Sequence, residues 1–191
     1  MMTMMTMMTM MNELSLFTGY GGFSLGLRLA GLQTRTVMYV EWERYPQEII
    51  KARIKDGAID DAPIWADIST LDGTQLRGVV DIITGGFPCQ PHSVAGKGRG
   101  AGDDRNLWPE TARIIGEVRP SYVLLENVPG ILTNRYIGTV LGSLSELGYD
   151  AEWGIVSAAD AGAPHRRKRW WCLAWPQANP PRSDSDSSGS H

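Results

Sequence analysis

Short apolar runs alternate along this chain with stretches of helical period, and that alternation constrains the fold more than any other feature. Leu14–Phe17, Val37–Val40, Val79–Thr84, Tyr122–Leu125, Glu152–Val156 and Trp170–Trp175 have the length and apolar content of buried strands. Helical segments lie between them. Phe23, Leu27 and Ala30 share one face, and residues 44–54 suggest a second helix. Leu107, Thr111, Ile114, Ile115 and Val118 repeat at helical spacing up to Pro120, and Ile137, Val140, Leu141, Leu144 and Leu147 form a last stripe closed by Gly148. Strands alternating with helices predict an α/β fold around a largely parallel sheet.

Both termini stand outside this pattern. Residues 1–11, "MMTMMTMMTMM", hold eight of the nine methionines. They lack the basic segment of a secretory leader and are too short and interrupted to span a bilayer, so they read as a low-complexity extension. Residues 176–191, "PQANPPRSDSDSSGSH", are rich in Pro, Ser and Asp and offer nothing to a core, so disorder is expected there. Residues 12–175 remain as the ordered body, with room for one domain.

A net charge of −3 demands neither nucleic acid nor membrane. The cations are nevertheless clustered: Arg166, Arg167, Lys168 and Arg169 are consecutive, and Lys97, Arg99 and Arg105 surround a glycine-rich stretch. A weakly acidic protein presents a basic face to DNA in this way, although the run of four by itself fits a solvated charged turn equally well. Cys172, inside "WWCLAW", reads as a small buried hydrophobe. Two cysteines without paired spacing and three scattered histidines make no disulfide framework and no metal site, and they point to a reducing cytoplasm.

In open parallel sheets ligands bind at the carboxyl ends of the strands. Four features of this chain follow strand candidates directly: the turn Gly19-Tyr20-Gly21-Gly22, Glu41, the loop holding Cys89, and Glu126. The glycine turn lets backbone approach a ligand, and a carboxylate about 20 residues on is placed to bind ribose hydroxyls. Taken alone, the turn also fits a plain connection between elements. Ser24 occupies the place of the third glycine of the dinucleotide fingerprint. Trp42 offers a flat face for an adenine ring, or else packs in the core. An adenosine without pyrophosphate points to S-adenosylmethionine rather than to a nicotinamide.

Cys89 stands between Pro88 and Gln90 in "GGFPCQPHSVAGKGRG", a run too rich in glycine for a helix. The segments "LFTGYGGFSLGL", "VEWERY", "ADI", "GGFPCQPHS", "DRNLWPETARII", "LLENVPGI" and "AGAPHRRKRWW" follow one another in an order that resembles the DNA (cytosine-5)-methyltransferases. The resemblance runs from Leu14 to Trp175, and its most specific part is the Pro-Cys-Gln loop followed 37 residues later by Glu-Asn-Val. It implies a Rossmann-like, mostly parallel sheet with helices on both faces, the fold of S-adenosylmethionine-dependent methyltransferases.

The resemblance also implies a chemistry. Cys89, as thiolate, adds to carbon 6 of cytosine and makes carbon 5 nucleophilic enough to take a methyl group from a sulfonium. Glu126 supplies a proton or hydrogen bond at ring nitrogen 3, which needs a carboxyl with a raised pKa. Asn127 orders the cysteine loop, and Arg167 and Arg169 contact the base oxygen and hold the active-site architecture. The cytosine must leave the duplex stack for Cys89 to reach it. Ser93 matches a phosphate-contacting serine, and Gln90, Lys97, Arg99 and Arg105 complete the implied DNA contacts. On the cofactor side, Phe17, Gly19 and Gly21 line the site, Glu41 binds ribose and Trp42 stacks on adenine. Asp67 and Ile68 meet the adenine edge, and Pro88 and Leu107 complete the pocket. The implied setting is the cytoplasm of a bacterium or phage-infected cell, in restriction–modification or phage self-protection.

Two departures qualify the match. Ser15 replaces the aspartate usual before "LF", which is expected to loosen the first turn. The chain also stops after the arginine motif, where the family continues with a target-recognition region and a segment that completes the cofactor pocket. The expectation is therefore a C-terminally truncated methyltransferase, or one half of a split enzyme served by a separate recognition chain. The alternative is a methyltransferase-like protein that holds cofactor or DNA without turnover. A Cys89–His92 thiol hydrolase is the poorer reading, because it leaves Glu126, Arg167 and Arg169 unused.

Overall fold

A computed structural model describes residues 10–88, 106–133 and 136–178 of the chain. Its centre is β1 (Met11–Leu16), paired in parallel with β2 (Thr34–Val40) on one side and β4 (Ile82–Gly85) on the other. The short β3 (Ile64–Trp65) extends the sheet beyond β2, and β5 (Tyr122–Asn127) continues it in parallel beyond β4. β7 (Lys168–Pro176) lies antiparallel between β5 and β6 (Tyr149–Ser157), giving the seven-stranded order β3-β2-β1-β4-β5-β7-β6. This is the α/β sheet expected from the alternation, mostly parallel as anticipated.

Side chains of a strand alternate between faces, and β1 shows the consequence. Leu14 and Leu16 point to one face and are completely buried there with Ile83, Val123, Leu125, Trp170 and Cys172. Two helices cover that face: α3 (Trp108–Val118), through Ile114, Ile115 and Val118, and α4 (Tyr136–Glu146), through Val140 and Leu144. Glu13 and Ser15 point to the other face, toward α1 (Gly22–Leu29), whose Ser24 and Leu27 are buried. On that face α2 (Arg44–Lys55) packs Ile50 against Tyr39 and Ala62. The helices thus occupy both faces, because each strand of a parallel sheet has two apolar sides to cover.

Local chemistry explains where elements begin and end. Pro109 sits in the first turn of α3, where its fixed φ suits the helix and no amide hydrogen is missed. Arg119 takes a left-handed φ of 57° after α3, and Pro120 bars continuation. Gly148, with φ 80°, closes the α4 segment and donates its N–H to Ser145 O at 2.9 Å.

Several boundaries differ from the sequence reading. Val79 and Val80 both donate to Leu76 O at 3.1 Å, closing a helical turn, so β4 starts only at Ile82. β3 is two residues long, too short for any periodicity to reveal it. The sheet also takes in Met11 and Pro176, one residue beyond each end of the expected body. Beyond Pro176, Gln177 donates its backbone N–H to Gly148 O at 2.8 Å. Among the described residues no helix is long and apolar enough to cross a membrane.

Under the glycine turn, the sheet buries a carboxylate. Glu13 is fully buried and accepts hydroxyl hydrogens from Thr84 at 2.6 Å and from Thr36 at 2.9 Å. Removing one of these donors leaves a buried carboxyl oxygen without its partner. Thr84→Val is expected to lower the unfolding free energy by about 1–3 kcal/mol. Tyr45→Ala, at a 70 % exposed position, should stay within about 0.5 kcal/mol of the parent. Chemical denaturation of both variants measures the difference, and equal effects would remove Glu13 from the stability of the sheet.

Candidate active site

Parallel strands bring the carboxyl ends of β1, β2, β4 and β5 to one edge of the sheet. After β1 the chain turns sharply. Phe17 takes a φ of 52°, unusual for a bulky side chain, and Gly19 and Gly21 follow at 55° and 78°. Gly21 is the N-cap of α1, in a left-handed conformation that a side chain would strain. Thr18 braces the turn by donating its hydroxyl to Ser15 O at 3.0 Å and to the Ser15 hydroxyl at 3.1 Å. Ser15, where an aspartate was the usual residue, therefore takes part in holding the turn.

The carboxylate of Glu41 is buried and already engaged. Its Oε2 accepts the Gly19 N–H at 2.8 Å and its Oε1 the Glu43 N–H at 2.8 Å. It ties the glycine turn to the end of β2.

A cavity of about 560 Å³ opens beside this turn. Phe17, Val40, Trp42 and Glu43 line it from the ends of β1 and β2, while Ala66, Asp67, Ile68 and Ser69 form the facing wall. Pro88, past the end of β4, and Leu107, the N-cap of α3, complete it. Six of the expected cofactor residues are thus brought together: Phe17, Trp42, Asp67, Ile68, Pro88 and Leu107. Gly19, Gly21 and Glu41 are not among the lining residues. Val40, Glu43, Ala66 and Ser69 were missed, although each directly adjoins an expected residue in sequence. Trp42 is 70 % exposed, so core packing does not explain its ring. Asp67 caps its own turn, with Oδ1 accepting from Ser69 N at 2.9 Å and the Ser69 hydroxyl at 2.7 Å.

The lining is an aromatic and aliphatic slot with two carboxylates and, among the described residues, no lysine or arginine. Such a donor set suits a nucleoside that carries a positive charge. It does not suit a pyrophosphate.

On the same edge, Glu126 near the end of β5 meets the first residues of β7. Because β7 runs against β5, with Glu126 opposite Trp171, its N-terminal residues lie at the strand ends. Arg169 Nε stands 2.5 Å from Glu126 Oε1. Burial pushes the Glu126 carboxyl above the ordinary glutamate range, opposed by the positive charges of Arg169 and Arg167. Gly86 makes room for it: a Cβ there would stand 3.1 Å from Glu126 Oε2 and 3.8 Å from the Phe23 ring. Phe23, in the first turn of α1, also packs its ring edge-on to Trp171 at 5.5 Å.

Asn127 is buried, donating through Nδ2 to Phe87 O at 2.9 Å and accepting the Val128 N–H at 2.8 Å. It therefore pins the backbone at Phe87, past the end of β4. Arg166, Arg167 and Lys168 are exposed beside this rim. Cys89, Gln90, Ser93, Lys97, Arg99 and Arg105 lie outside the described residues. Cys172 is buried in the core, with a thiol pKa pushed up to about 12 by that burial, as suits a packing residue. No His/Cys/Asp/Glu cluster able to hold a metal occurs among the described residues.

Known proteins share this architecture. The family model described as C-5 cytosine-specific DNA methylase matches residues 11–188. Type II methyltransferase M.PspPI of Psychrobacter sp. is 39 % identical over 162 residues, which are 82 % of this chain and 37 % of that protein. Type II methyltransferase M1.ScrFI of Lactococcus lactis subsp. cremoris is 40 % identical over 168 residues, 85 % of this chain and 41 % of that one. A prophage-encoded protein of Escherichia coli, described as a DNA modification methyltransferase, superposes with a TM-score of 0.69 at 30 % identity. That match covers 87 % of this chain and 47 % of the other. A mutant DNMT2 of Spodoptera frugiperda shares the fold at a TM-score of 0.73 and 23 % identity, over 88 % of this chain and 50 % of its own. The chain spans less than half the length of both type II relatives. By its sequence and by the architecture of its strand-end site, the chain belongs to the C-5 cytosine-specific DNA methylase family.

Proposed function

We propose that this chain carries the catalytic and cofactor-binding parts of an enzyme that methylates carbon 5 of cytosine in DNA, with Cys89 as nucleophile. The observation that carries this reading is the Glu126 carboxyl. It is half-buried, paired with Arg169, shifted upward in pKa, and set on the same rim as the cavity. A cytosine attacked at carbon 6 gathers negative charge that a hydrogen bond at nitrogen 3 relieves, and a carboxyl that keeps its proton to higher pH than an ordinary glutamate is suited to that task.

The chain's own groups divide the work. Trp42 offers its face to the adenine ring of S-adenosylmethionine, and Asp67 and Ile68 present a wall to the adenine edge. Glu41 holds the glycine turn in shape by accepting the Gly19 N–H. S-adenosylmethionine, when bound there, supplies an electrophilic methyl group. Cys89, next in sequence to a proline that lines the cavity, forms a bond to carbon 6. Once carbon 5 is methylated, its proton is lost to a base and Cys89 leaves with its bonding pair, restoring the aromatic ring. Arg169 stays on Glu126 and aligns it, while Asn127 keeps Phe87 and Pro88 in place. Arg167 contacts the base oxygen, while the exposed Arg166 and Lys168 meet phosphates. That contact is sequence-independent and weakens steeply with salt.

Cytosine-containing DNA with 5-fluorocytosine at the target base tests the nucleophile, because the fluorinated carbon has no proton to lose. With S-adenosylmethionine present, a covalent DNA adduct on Cys89 is expected by intact mass and none with Cys89→Ser. An adduct that persists in Cys89→Ser refutes the assignment.

The sign of the Glu126 shift gives a pH test. A raised carboxyl pKa keeps the protonated form to higher pH, so turnover that needs this proton falls as pH rises through the shifted value. Arg169 acts against the shift. Arg169→Met is therefore expected to raise the Glu126 pKa further, which NMR titration of the side chain reads directly. A decrease would show that burial is not what controls this carboxyl.

A further inference from the structure

The wall of the cavity formed by Asp67, Ile68 and Ser69 belongs to a pair of short helical turns, Ile68–Thr70 and Gly73–Leu76, that have little core of their own. Side chains of α3 hold them from outside, and Arg113 holds the first turn. The Arg113 guanidinium donates through Nη2 to Ile68 O at 2.7 Å and through Nη1 to Leu71 O at 2.9 Å. Ile68 O also accepts the Leu71 N–H that closes the turn, at 3.2 Å, and Leu71 is the turn's C-cap, where a cation suits the carbonyl.

Neighbours one helical turn away on either side fix the guanidinium. Its Nε donates to Glu110 Oε2 at 2.8 Å, and its Nη1 to Glu117 Oε1 and Oε2 at 2.8 and 2.9 Å. Glu117 in turn accepts the Gly73 N–H at 2.8 Å. Leu107, the N-cap of the same helix, also lines the cavity. One element therefore bears on the slot at two points: Leu107 lines it, and Arg113 holds the backbone of Ile68, which lines it too.

We infer that Arg113 is a positioning residue for cofactor binding, acting through the Ile68 and Leu71 carbonyls to hold the adenine-facing wall. The inference rests on the cofactor reading given above. Lysine cannot replace the fork, because a single ammonium does not span two carbonyls and two carboxylates.

The test measures binding of S-adenosylmethionine and of 5′-methylthioadenosine, which lacks the amino-acid end, by calorimetry on the full chain. Arg113→Lys is expected to weaken both ligands about tenfold and by the same factor, since the wall faces the nucleoside that they share. Arg77 provides the comparison. It ties the second turn to the end of α3, donating to Glu117 O at 2.9 Å and Gly116 O at 3.2 Å, and does not line the cavity. Arg77→Ala should lower the melting temperature yet bind both ligands as the parent does.

A second route leaves Arg113 in place. Gly73→Ala would set a Cβ 2.9 Å from Glu117 Oε2 and 3.1 Å from Glu117 Cβ, pushing the turns off the helix. It should weaken both ligands too, and it decides the matter if Arg113→Lys does not fold. Folded Arg113→Lys or Gly73→Ala binding like the parent overturns the inference, as does equal weakening by Arg77→Ala. A parent chain that binds neither ligand overturns the cofactor reading instead, and the role of Arg113 falls with it.

Discussion

The strand β7 runs against its neighbour β5, and the candidate catalytic end of the molecule depends on that reversal. In a parallel arrangement the carboxyl end of β7, with Ala174 and Trp175, would stand beside Glu126. Antiparallel pairing places Trp171 opposite Glu126 and Trp170 opposite Asn127, so the residues just before them reach the strand ends. Arg169 then pairs with the carboxyl, and Arg166 to Lys168 lie exposed at the rim. The same reversal buries Trp170, Cys172 and Ala174 in the core beneath α3 and α4. One pairing thus gives the site its cations and the sheet its packing.

Three glutamates near the middle of the sheet show how environment divides one side-chain type among separate tasks. Glu13 is sealed under the glycine turn and is held by threonine hydroxyls. Glu41 is nearly as buried, yet it accepts two backbone N–H groups and so shapes the turn above it. Glu126 stands at the rim, where burial favours its protonated form and the guanidinium of Arg169 opposes that preference. None of the three differs chemically from the others. The difference lies in which donors surround each carboxyl, and that follows from strand register.

Much of this was legible in the residues. Each of the six apolar runs overlaps a strand, and the four helical stripes fall on helices, because burial of one face imposes a period that survives in the sequence. The convergence of Phe17, Trp42, Asp67, Ile68, Pro88 and Leu107 was legible too, since parallel strands deliver their carboxyl ends to one edge. The two-residue β3 left no trace, being shorter than any period. The three-residue set Arg113, Glu110 and Glu117 also went unread: at helical spacing it looks like an ordinary solvated face with ion pairs.

The sequence by itself determined the fold class, the rim on which the chemistry gathers, and the residue types available there, because all three depend on local periodicity and on the order of elements. Only the tertiary structure decided that Glu41 is turned toward Gly19 and Glu43, and that Trp42 is exposed beside a cavity. It also decided that Arg113 reaches across to Ile68, and that Glu126 has an arginine on one side and the bare backbone of Gly86 on the other. These are contacts between residues 22 to 45 positions apart along the chain, apart from that of Glu41 with Glu43. No local preference encodes them. They arise when packing fixes the distance between strands and helices, and the pKa of a carboxyl follows from that distance.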